Sequence, residues 1–599
     1  MNPRLLPTAG VCLAALATSA SAQFNDKWAA FEKDPSLLSV GGPLADVNHE
    51  VDVDWGDLDG DGWTDVVVVR KEPILEIGPR RNVLLMNISG VLTDLTNTLA
   101  VGSDIPGGQG FRDLTPDRDV VLVDVDNDGL LDCVTACDQT AGLPKFRSHP
   151  RVYVNLGSSG GSWQGLRHED ARFPQLLHNV SGIPLDPYFN AVDAGDVDLD
   201  GFADLYFGDQ DQLGTGGFQS DAIDTEDRLM INDGLGSFVD QSTVAMTSAM
   251  LSSRFCNSVE VGDFNLDGKN DIIKQTSLAA PVQVTMRVND ALGAGSPGIF
   301  TDLDPAYTGS PYFIQTGDMN QDGRLDLLVS DNGLDRYILN EGTLGSGLVD
   351  WGAPQTFEFL AGADDGFGAN SLVADLDGDG WQDAIVTDID PQIETYNRRA
   401  HVYHNLGGTV GGDVDFREER ASTDDSDWVG AYGITLSDLE TSHDVAVFDV
   451  DLDGRNDMLL FRVDSNEAFR GIDPPVCQTN LGFADGTFGD GTTVLEVCGG
   501  DLSSGNDATL RLFNAAPSAA AGILVSASAL PVYSPVLDAT LVAIPPIVTV
   551  PVFTDASGEV SVPIAGGSGP ATFVVQALVA NGGPTLADVS NAIEVTLLP

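Results

Sequence analysis

One nine-residue pattern of acidic residues recurs seven times along the chain. It has Asp at the first position, Asp or Asn at the third, Asp at the fifth, Gly at the sixth and Asp at the ninth. We number the copies loop 1 to loop 7; they begin at Asp57, Asp124, Asp196, Asp263, Asp318, Asp375 and Asp449. Agreement of this kind over seven copies indicates a repeated functional or structural unit.

The chemistry that suits the pattern is the binding of a hard cation. Calcium takes six to eight oxygen ligands, and alternating acids around a tight glycine turn converge on one point. Magnesium is less suited, because it prefers near-ideal octahedra with several retained waters. We therefore expect up to seven Ca²⁺ ions, one per loop, bound by the side chains at positions one, three, five and nine and by the carbonyl at position seven. The expected ligands are Asp57, Asp59, Asp61, Trp63, Asp65, Asp124, Asp126, Asp128, Leu130, Asp132, Asp196, Asp198, Asp200, Phe202, Asp204, Asp263, Asn265, Asp267, Lys269, Asp271, Asp318, Asn320, Asp322, Arg324, Asp326, Asp375, Asp377, Asp379, Trp381, Asp383, Asp449, Asp451, Asp453, Arg455 and Asp457.

Two other interpretations of the loops compete with this one. An EF-hand needs Glu at position twelve and flanking helices, whereas position twelve here is never Glu and the flanking residues are typical of strands. Acidic surface turns without metal would leave four crowded acids per loop with no compensating charge. Loops 4 and 5 carry Asn at the third position, so their lower charge predicts weaker binding.

The residues around each loop predict strands. A short apolar strand that ends in Asn follows each loop, and a Gly-containing hairpin usually comes next. These strand ends are Asn87, Asn155, Asn232, Asn289, Asn340, Asn405 and Asn480. Four strands per unit, repeated seven times, suit an all-β protein in which a seven-bladed propeller closes around a central channel.

The loops, the Asn-Gly hairpins and the stretch Gly-Phe-Gly-Ala-Asn at 366–370 resemble the FG-GAP or VCBS repeats of integrin α-subunit-like β-propellers, of the secreted bacterial type. The resemblance covers roughly residues 40 to 500. It implies calcium in the loop between the first and second strands of each blade, and ligands on the opposite face.

Three segments are expected. Residues 1–22 are typical of a secretory signal peptide cleaved after Ala22, which predicts a secreted or cell-surface protein. Residues 23–505 form the propeller. Residues 506–599 carry apolar and Pro-rich strands, with Arg511 as the one basic residue from 508 onward, and predict a small C-terminal β-sandwich.

Charge and cysteine content narrow the partners. With 90 Asp and Glu against 29 Lys and Arg, the net charge is −61, which disfavours nucleic acid and direct membrane insertion. Among the five cysteines after the signal peptide, Cys477 and Cys498 flank a probable hairpin and are the best candidates for a bridge. Cys133 and Cys137 fall on one strand and can pair only if that strand turns.

Candidate ligand-binding residues stand at the start of the first strand of each unit, five or six residues before the loop. They are Arg118, Asn190, Asn257, Tyr312, Asn370, His443 and Asp444. The alternative is that they only satisfy hydrogen bonds between blades. His401 and His404 are three residues apart on a strand and should point to opposite faces, which argues against a metal pair.

Two functions remain open. The first is a non-catalytic, calcium-stabilised extracellular module for adhesion or for binding carbohydrate or protein ligands. The alternative is a calcium-dependent, lyase-like polysaccharide-degrading enzyme, for which Arg118, Tyr312 and His443 could supply base and cation groups if they met in one pocket. No motif identifies a catalytic residue, which favours the non-catalytic function and leaves the enzyme as the alternative.

Overall fold

A computed structural model gives the fold of the chain and divides it into two compact units. One, called here the seven-sheet unit, comprises Ala29–Glu419 with Gly430–Asp473; the described residues of the other, the C-terminal unit, begin at Val476. The structure describes residues 29–39, 50–71, 79–138, 142–179, 181–210, 213–214, 217–218, 226–251, 255–277, 282–291, 293, 295, 300–331, 333–357, 368–388, 399–418, 431–432, 439, 442–462, 466–472, 476–481, 493–499, 502–505, 507–513, 515–534, 537, 539–555, 558–567, 569–580 and 588–599.

The regular structure of the described residues is nearly all β-strand, which confirms the all-β part of the predicted fold class. Sheets 1 to 7, each carrying the loop of the same number, have four or five strands. In spatial order they are Glu50–Gly56, Asp65–Lys71, Val83–Asn87, Leu92–Asp94 and Leu38–Ser39; Asp117–Val123, Asp132–Cys137, Arg151–Asn155, Leu166–His168 and Gly102–Ser103; Phe189–Gly195, Asp204–Asp209, Arg228–Asn232 and Phe238–Asp240; Val259–Gly262, Asp271–Thr276, Gln283–Asn289 and Phe300–Tyr307; Pro311–Gly317, Asp326–Asp331, Arg336–Ile338 and Gln355–Thr356; Gly368–Ala374, Asp383–Asp388, His401–Asn405 and Phe416–Arg417; and Ser442–Phe448, Asp457–Arg462, Asn466–Gly471, Ala29–Lys33 and Ala431–Tyr432.

Minor elements connect these sheets. They are the strand pairs Ser158–Ser159 with Ser162–Trp163, Leu213–Gly214 with Gly217–Phe218, and Asn340–Thr343 with Val349–Trp351; the helices Thr96–Leu99, Lys145–Ser148, Ser242–Ala245 and Ser248–Leu251; and the 3₁₀ turns Gly110–Arg112 and Asp170–Arg172. In the described part of the chain, no helix is long and apolar enough to cross a membrane.

The first strands of consecutive sheets contact one another in order from sheet 1 to sheet 7, and the first strand of sheet 7 contacts that of sheet 1. The second strands are buried on both faces. Because successive side chains of a strand point to opposite faces, alternate residues of each second strand pack against the sheet before and the sheet after. In sheet 1, Val66 and Val68 join an apolar cluster with sheet 7, whereas Val67 and Val69 join a cluster with sheet 2. Most of the core therefore lies between neighbouring sheets.

Sheet 7 contains strands from distant parts of the chain. Ala29–Lys33 pairs antiparallel with Asn466–Gly471, which is the third strand of this sheet. The prediction of a third strand ending at Asn480 is therefore wrong for sheet 7. Thr479–Asn480 pairs instead with Asp588–Leu597 of the C-terminal unit, because Asn466–Gly471 occupies the third place in sheet 7 and the N-terminal strand occupies the fourth.

The C-terminal unit contains a four-stranded and a five-stranded sheet with a shared apolar core that includes Leu510, Ile523 and Val595. Their strands, in spatial order, are Val476–Cys477, Val494–Gly499, Ala508–Phe513 and Val560–Ile564; and Thr479–Asn480, Asp588–Leu597, Ala571–Val579, Ala520–Ser526 and Val548–Phe553, with Val532–Ser534 and Ala539–Leu541 as a separate pair. The unit takes in strands from Val476 onward, earlier than the predicted boundary at residue 506.

The cysteines follow this division. Cys498 is disulfide-bonded and lies directly opposite Cys477 on the neighbouring strand, as expected for the predicted bridge. Cys133 and Cys137 share the strand Asp132–Cys137 and are buried free thiols, as is Cys256. The predicted signal peptide at 1–22 lies outside the described residues.

Candidate functional site

Each acidic loop joins the first and second strands of its own sheet, where it makes a tight turn. The glycine at the sixth position has a positive φ in all seven copies, for example +91° at Gly62 and +90° at Gly454. Residues with a Cβ rarely adopt this conformation, which explains why the sixth position is always Gly.

Backbone N–H groups orient the acids at the first and fifth positions. In loop 2, Asp124 accepts one hydrogen bond from the N–H of Asp128 at 3.1 Å and another from that of Gly129 at 2.8 Å. Asp128 accepts one from the N–H of Leu130 at 3.0 Å. The corresponding bonds to the first Asp from the sixth position, and to the fifth Asp from the seventh, recur in all the loops. The carboxylates are thus held around one small volume.

The ninth Asp is buried beneath the loop and ties it to the sheet. In loop 1, Asp65 accepts hydrogen bonds from the N–H of Leu58 at 3.0 Å and that of Asn87 at 2.8 Å. Burial raises the pKa of Asp65 to about 7, and the nearby acids Asp59 and Asp61 add to this, although the two N–H groups oppose it. Burial likewise raises the pKa of Asp132, Asp204, Asp271 and Asp326 to about 7.

Several of these acidic groups could hold a metal ion. One ligand atom from each member lies within 4.8 Å of the others in the sets Asp57, Asp59 and Asp61; Asp124, Asp126 and Asp132; Asp196, Asp198 and Asp204; Asp375, Asp377 and Asp383; and Asp377, Asp379 and His404. The donors are almost all carboxylate oxygens, which fits a hard cation. The predicted ligands of loops 1, 2, 3 and 6 are therefore brought together.

Basic side chains contact the acids of four loops. In loop 2, Arg172 lies 3.1 Å from Asp126 at the third position, and in loop 4, Lys269 lies 3.3 Å from Asp267 at the fifth. In loops 5 and 7, an arginine at the seventh position pairs with the fifth acid: Arg324 with Asp322 and Arg455 with Asp453. Arg470 pairs in addition with Asp451 of loop 7. These cations compete with a bound metal for carboxylate charge.

In sheets 1 to 6, an asparagine at or just after the end of the third strand links its loop to the preceding one. In sheet 3, the side-chain amide of Asn232 donates to the carbonyl of Val125 in loop 2 at 2.7 Å and to that of Ala203 at 3.0 Å. Equivalent bonds to the second position of the preceding loop come from Asn155, Asn289, Asn340 and Asn405. Asn87 of sheet 1 donates to Val450 of loop 7 at 2.8 Å, which continues the series from sheet 7 to sheet 1.

The predicted ligand-binding residues lie at the opposite end of the first strands, and their described contacts are largely bonds between sheets. Asn190 donates to Asn257 at 2.8 Å, and Asn257 donates to the carbonyl of Tyr312 at 3.2 Å. Asn370 donates to Asp52 at 2.8 Å, and Arg118 lies 3.3 Å from the same carboxylate.

The remaining two members of this set are also engaged. The carbonyl of His443 accepts a hydrogen bond from the Thr387 hydroxyl at 3.0 Å, and Asp444 accepts one from the N–H of Val53 at 2.8 Å. Arg118, Asn190, Asn257, His443 and Asp444 are all buried. The contacts favour the interpretation that these residues join sheets, mostly neighbouring ones, while Asn370 reaches from sheet 6 to Asp52 of sheet 1.

A cavity of about 360 Å³ lies among the first strands. Six carboxylates line it in the described part of the chain: Asp52, Asp54, Asp119, Asp193, Glu260 and Asp444. Its lining includes Asn257 and Asn370 as well, but not Arg118, Tyr312 or His443. The three groups that a lyase would use do not converge on this cavity.

The cavity acids connect consecutive sheets. Asp54 accepts from the N–H of Leu122 at 2.6 Å, Asp119 from that of Val192 at 2.7 Å, and Asp193 from that of Val261 at 2.6 Å. Burial raises the pKa of Asp54 to about 7 and that of Asp193 to about 6, despite these N–H groups. Acids of sheets 1, 2, 3 and 7 therefore accept hydrogen bonds from the neighbouring sheet, and burial at the cavity disfavours their ionised form.

Comparison with known proteins adds little to this description. No family model and no curated protein matches the chain. Among solved structures, one chain of a cryo-electron-microscopy structure of RAG with one melted and one unmelted RSS has 11% identity and a TM-score of 0.32, and the match covers 74% of this chain and 99% of that one. A tetra-tandem repeat from the extending region of a large adhesion protein has 10% identity and a TM-score of 0.12, with 92% and 99% covered. Scores this low carry no argument about the fold.

Three features of the site were not predicted from the sequence: the basic side chains beside the loops, the cavity acids other than Asp444, and the approach of His404 to loop 6. The basic neighbours Arg172 and Arg470 come from outside the loops, so no spacing reveals them. The cavity acids do have a sequence signal, since Asp54, Asp193 and Glu260 all stand three residues before their loop. His404 approaches loop 6, whereas the sequence argued only against a pair with His401.

Proposed function

We propose that the chain is an exported, calcium-binding β-propeller of the FG-GAP or VCBS type with seven blades, followed by a β-sandwich. The seven four- or five-stranded sheets and the cyclic order of their first strands support this architecture. Closure is supported by two hydrogen bonds between sheets 1 and 7, from Val53 to Asp444 and from Asn87 to Val450.

Calcium is proposed for the loops because their donors are hard oxygens held by backbone N–H groups. The loops should differ in affinity. Loops 1 and 3 have four acids and, among the described contacts, no basic partner, whereas a basic side chain pairs with an acid in loops 2, 4, 5 and 7. We therefore expect at least two classes of site, with loops 1 and 3 among the tightest.

We propose further that the chain is a binding or adhesion module for an extracellular carbohydrate or protein, rather than an enzyme. The observation that carries this choice is the engagement of the side chains of Arg118, Asn257 and Asn370 in bonds between sheets. A catalytic base or acid must reach its substrate, whereas a rigid, cross-linked ring suits a preorganised binding surface.

The experiment incubates the calcium-loaded protein with a panel of polysaccharides and extracellular proteins and measures retention and new chain ends together. We expect retention that depends on calcium and no new ends. New ends that disappear in both Arg118→Ala and His443→Ala variants would support the lyase instead.

Equilibrium dialysis with ⁴⁵Ca²⁺ tests calcium binding by the loops in a separate experiment. A single class of calcium affinity that is unaffected by Asp57→Asn or Asp196→Asn would contradict the proposed sites.

A further inference from the structure

Loop 6 differs from the other loops in the side chain that stands beside its third acid. This side chain belongs to the residue that precedes the asparagine at or just after the end of the third strand in sheets 1 to 6, and that precedes Gly471 in sheet 7. The seven residues at this place, from sheet 1 to sheet 7, are Met86, Val154, Ile231, Val288, Leu339, His404 and Arg470. Only sheet 6 supplies a nitrogen that can bind a metal.

The matched residue of sheet 7 demonstrates that this place reaches the loop. Arg470 pairs with Asp451, the third acid of loop 7. In sheet 6, His404 Nε2 lies 3.7 Å from Asp377 Oδ2, the third acid of loop 6. Both side chains are largely shielded, with 14% and 11% of their surface exposed. The imidazole is thus directed at a candidate ligand in a partly desolvated place.

The separation of these two atoms is too long for a hydrogen bond, which ends near 3.5 Å. It fits two ligands of one ion. With metal–ligand bonds of about 2.1 Å, a distance of 3.7 Å corresponds to an angle of about 124° at the metal, wider than the tetrahedral angle of about 109° but still compatible with both atoms binding one ion. Asp379, the fifth acid of the loop, supplies a third ligand atom within 4.8 Å of the other two.

The strand around His404 holds it in place. The next residue, Asn405, donates its N–H to Asp383 at 2.8 Å and its side-chain amide to the carbonyls of Met319 and Gln382, both at 2.9 Å. His401 takes a different direction, with Nδ1 at 3.2 Å from Glu418. The two histidines are therefore separate, as the sequence predicted, and His404 alone serves the loop.

We propose that loop 6 is a mixed nitrogen and oxygen site, with His404, Asp377 and Asp379 as ligands, that takes a divalent transition-metal ion of the zinc class in preference to calcium. Imidazole suits zinc, copper, iron and nickel, whereas calcium is bound by oxygen. The inference rests on the proposed role of the loops as cation sites. It gives one of seven similar loops a different metal.

The test is equilibrium dialysis of the full chain with ⁶⁵Zn²⁺ in the presence of millimolar Ca²⁺. We expect one zinc equivalent that calcium does not displace. His404→Leu, which installs the residue that sheet 5 has at this place, should weaken its binding by about 10–100-fold or more, since even an outer-shell change has that effect. His178→Leu, which removes a histidine outside the loops, should leave zinc binding unchanged.

Co²⁺ provides a second readout through its visible absorption, which should change in intensity and position when His404→Leu removes the nitrogen ligand. Equal zinc affinity in wild type and His404→Leu, or complete displacement of zinc by calcium from the wild type, would overturn the inference. Calcium binding is measured on the same samples. If zinc binding requires His404 but the other loops bind no calcium, the zinc site at loop 6 is supported and the proposed calcium-binding function is contradicted.

Discussion

The seven-sheet unit and the C-terminal unit are both built of antiparallel strands, but they use buried polar groups differently. In the first, acids accept hydrogen bonds from backbone N–H groups, either of their own loop, as Asp65 does, or of the neighbouring sheet, as Asp119 does. In the second, the two sheets share an apolar core, and Cys498 adds a disulfide. Among the charged residues of that unit, Arg511 lies 3.5 Å from Glu496.

This difference means that the two units respond to different conditions. Crowded acids with raised pKa values are costly at neutral pH unless a cation neutralises them. An apolar core and a disulfide depend little on ions. We therefore expect metal and pH to act on the seven-sheet unit and redox conditions to act on the C-terminal unit. Four predictions test this division, beginning with the largest effect.

Calcium removal should have the largest effect, and it should act on the seven-sheet unit. At a dissociation constant of about 10⁻⁴ M and millimolar calcium, each occupied loop contributes about 1.4 kcal/mol, so three occupied loops would contribute about 4 kcal/mol. Five of the seven tryptophans lie in the seven-sheet unit, among them Trp63 in loop 1 and Trp381 in loop 6, so tryptophan fluorescence reports mainly the thermal unfolding of this unit. Excess chelator should lower its midpoint, and calcium but not magnesium should restore it. An unchanged midpoint in chelator would contradict the division.

Breaking the disulfide should affect the C-terminal unit instead. Cys498→Ser releases the bridge expected with Cys477. Closing a loop of this size stabilises a domain by about 3 kcal/mol. Calorimetry should show a lower transition for the C-terminal unit, with the tryptophan-reported midpoint unchanged. A Cys256→Ser variant, which alters a buried free thiol of the seven-sheet unit, serves as the control. A shift of the tryptophan signal in Cys498→Ser would show that the two units do not unfold separately.

Asn232→Ala should weaken the seven-sheet unit without removing a metal ligand. The buried side chain donates to Val125 and Ala203 and accepts from the N–H groups of Gly234 and Gly236. Leaving two buried carbonyls without these donors should cost about 2–3 kcal/mol, measured by urea unfolding in saturating calcium. Asn232→Asp keeps an acceptor and loses both donors, so it should be destabilising as well. Wild-type stability in both variants would contradict a stabilising role for the hydrogen bonds that Asn232 makes between the two loops.

The strand pattern and loop positions of the seven-sheet unit were predictable because they are periodic and local. The strand Val83–Asn87 and the loop at Asp57 follow directly from residue types and spacing. Which strands pair with one another, when they come from distant parts of the chain, does not follow from local residue patterns. Asn480 satisfies the same strand pattern as Asn405, yet it pairs with the C-terminal sheet, since Asn466–Gly471 is the third strand of sheet 7 and Ala29–Lys33 covers its outer edge.

The site was predictable to the same extent. Residue types identify the acids of loop 6, and strand alternation correctly separates His401 from His404. Which neighbour each side chain meets depends on the twist and packing of other strands, so neither the approach of His404 to Asp377 nor that of Arg172 to Asp126 could be derived from spacing.

The smallest expected effect is a pH dependence that arises in the central cavity. Burial raises the pKa of Asp54 from 3.8 to about 7. A raised folded-state pKa means that the protonated form is favoured by folding, so its contribution is fully present below about pH 4 and is lost as the pH rises through 7. In chelator, the seven-sheet unit should therefore be more stable at pH 5.5 than at pH 8. The ninth acids of the loops shift in the same direction, so the wild-type profile alone does not isolate the cavity.

Asp54→Asn isolates this contribution because it removes one titrating group and keeps an oxygen for the N–H of Leu122. Asp54 is partly exposed to the cavity, so we expect a change of about 1 kcal/mol in the difference between pH 5.5 and pH 8, rather than the full value of a deeply buried group. Urea unfolding of wild type and variant at both pH values measures it. The pH dependence should shrink in Asp54→Asn, because the variant no longer has to ionise this side chain in the folded state. An identical pH dependence in both proteins would mean that the cavity acids stay neutral or are neutralised by a cation throughout this range.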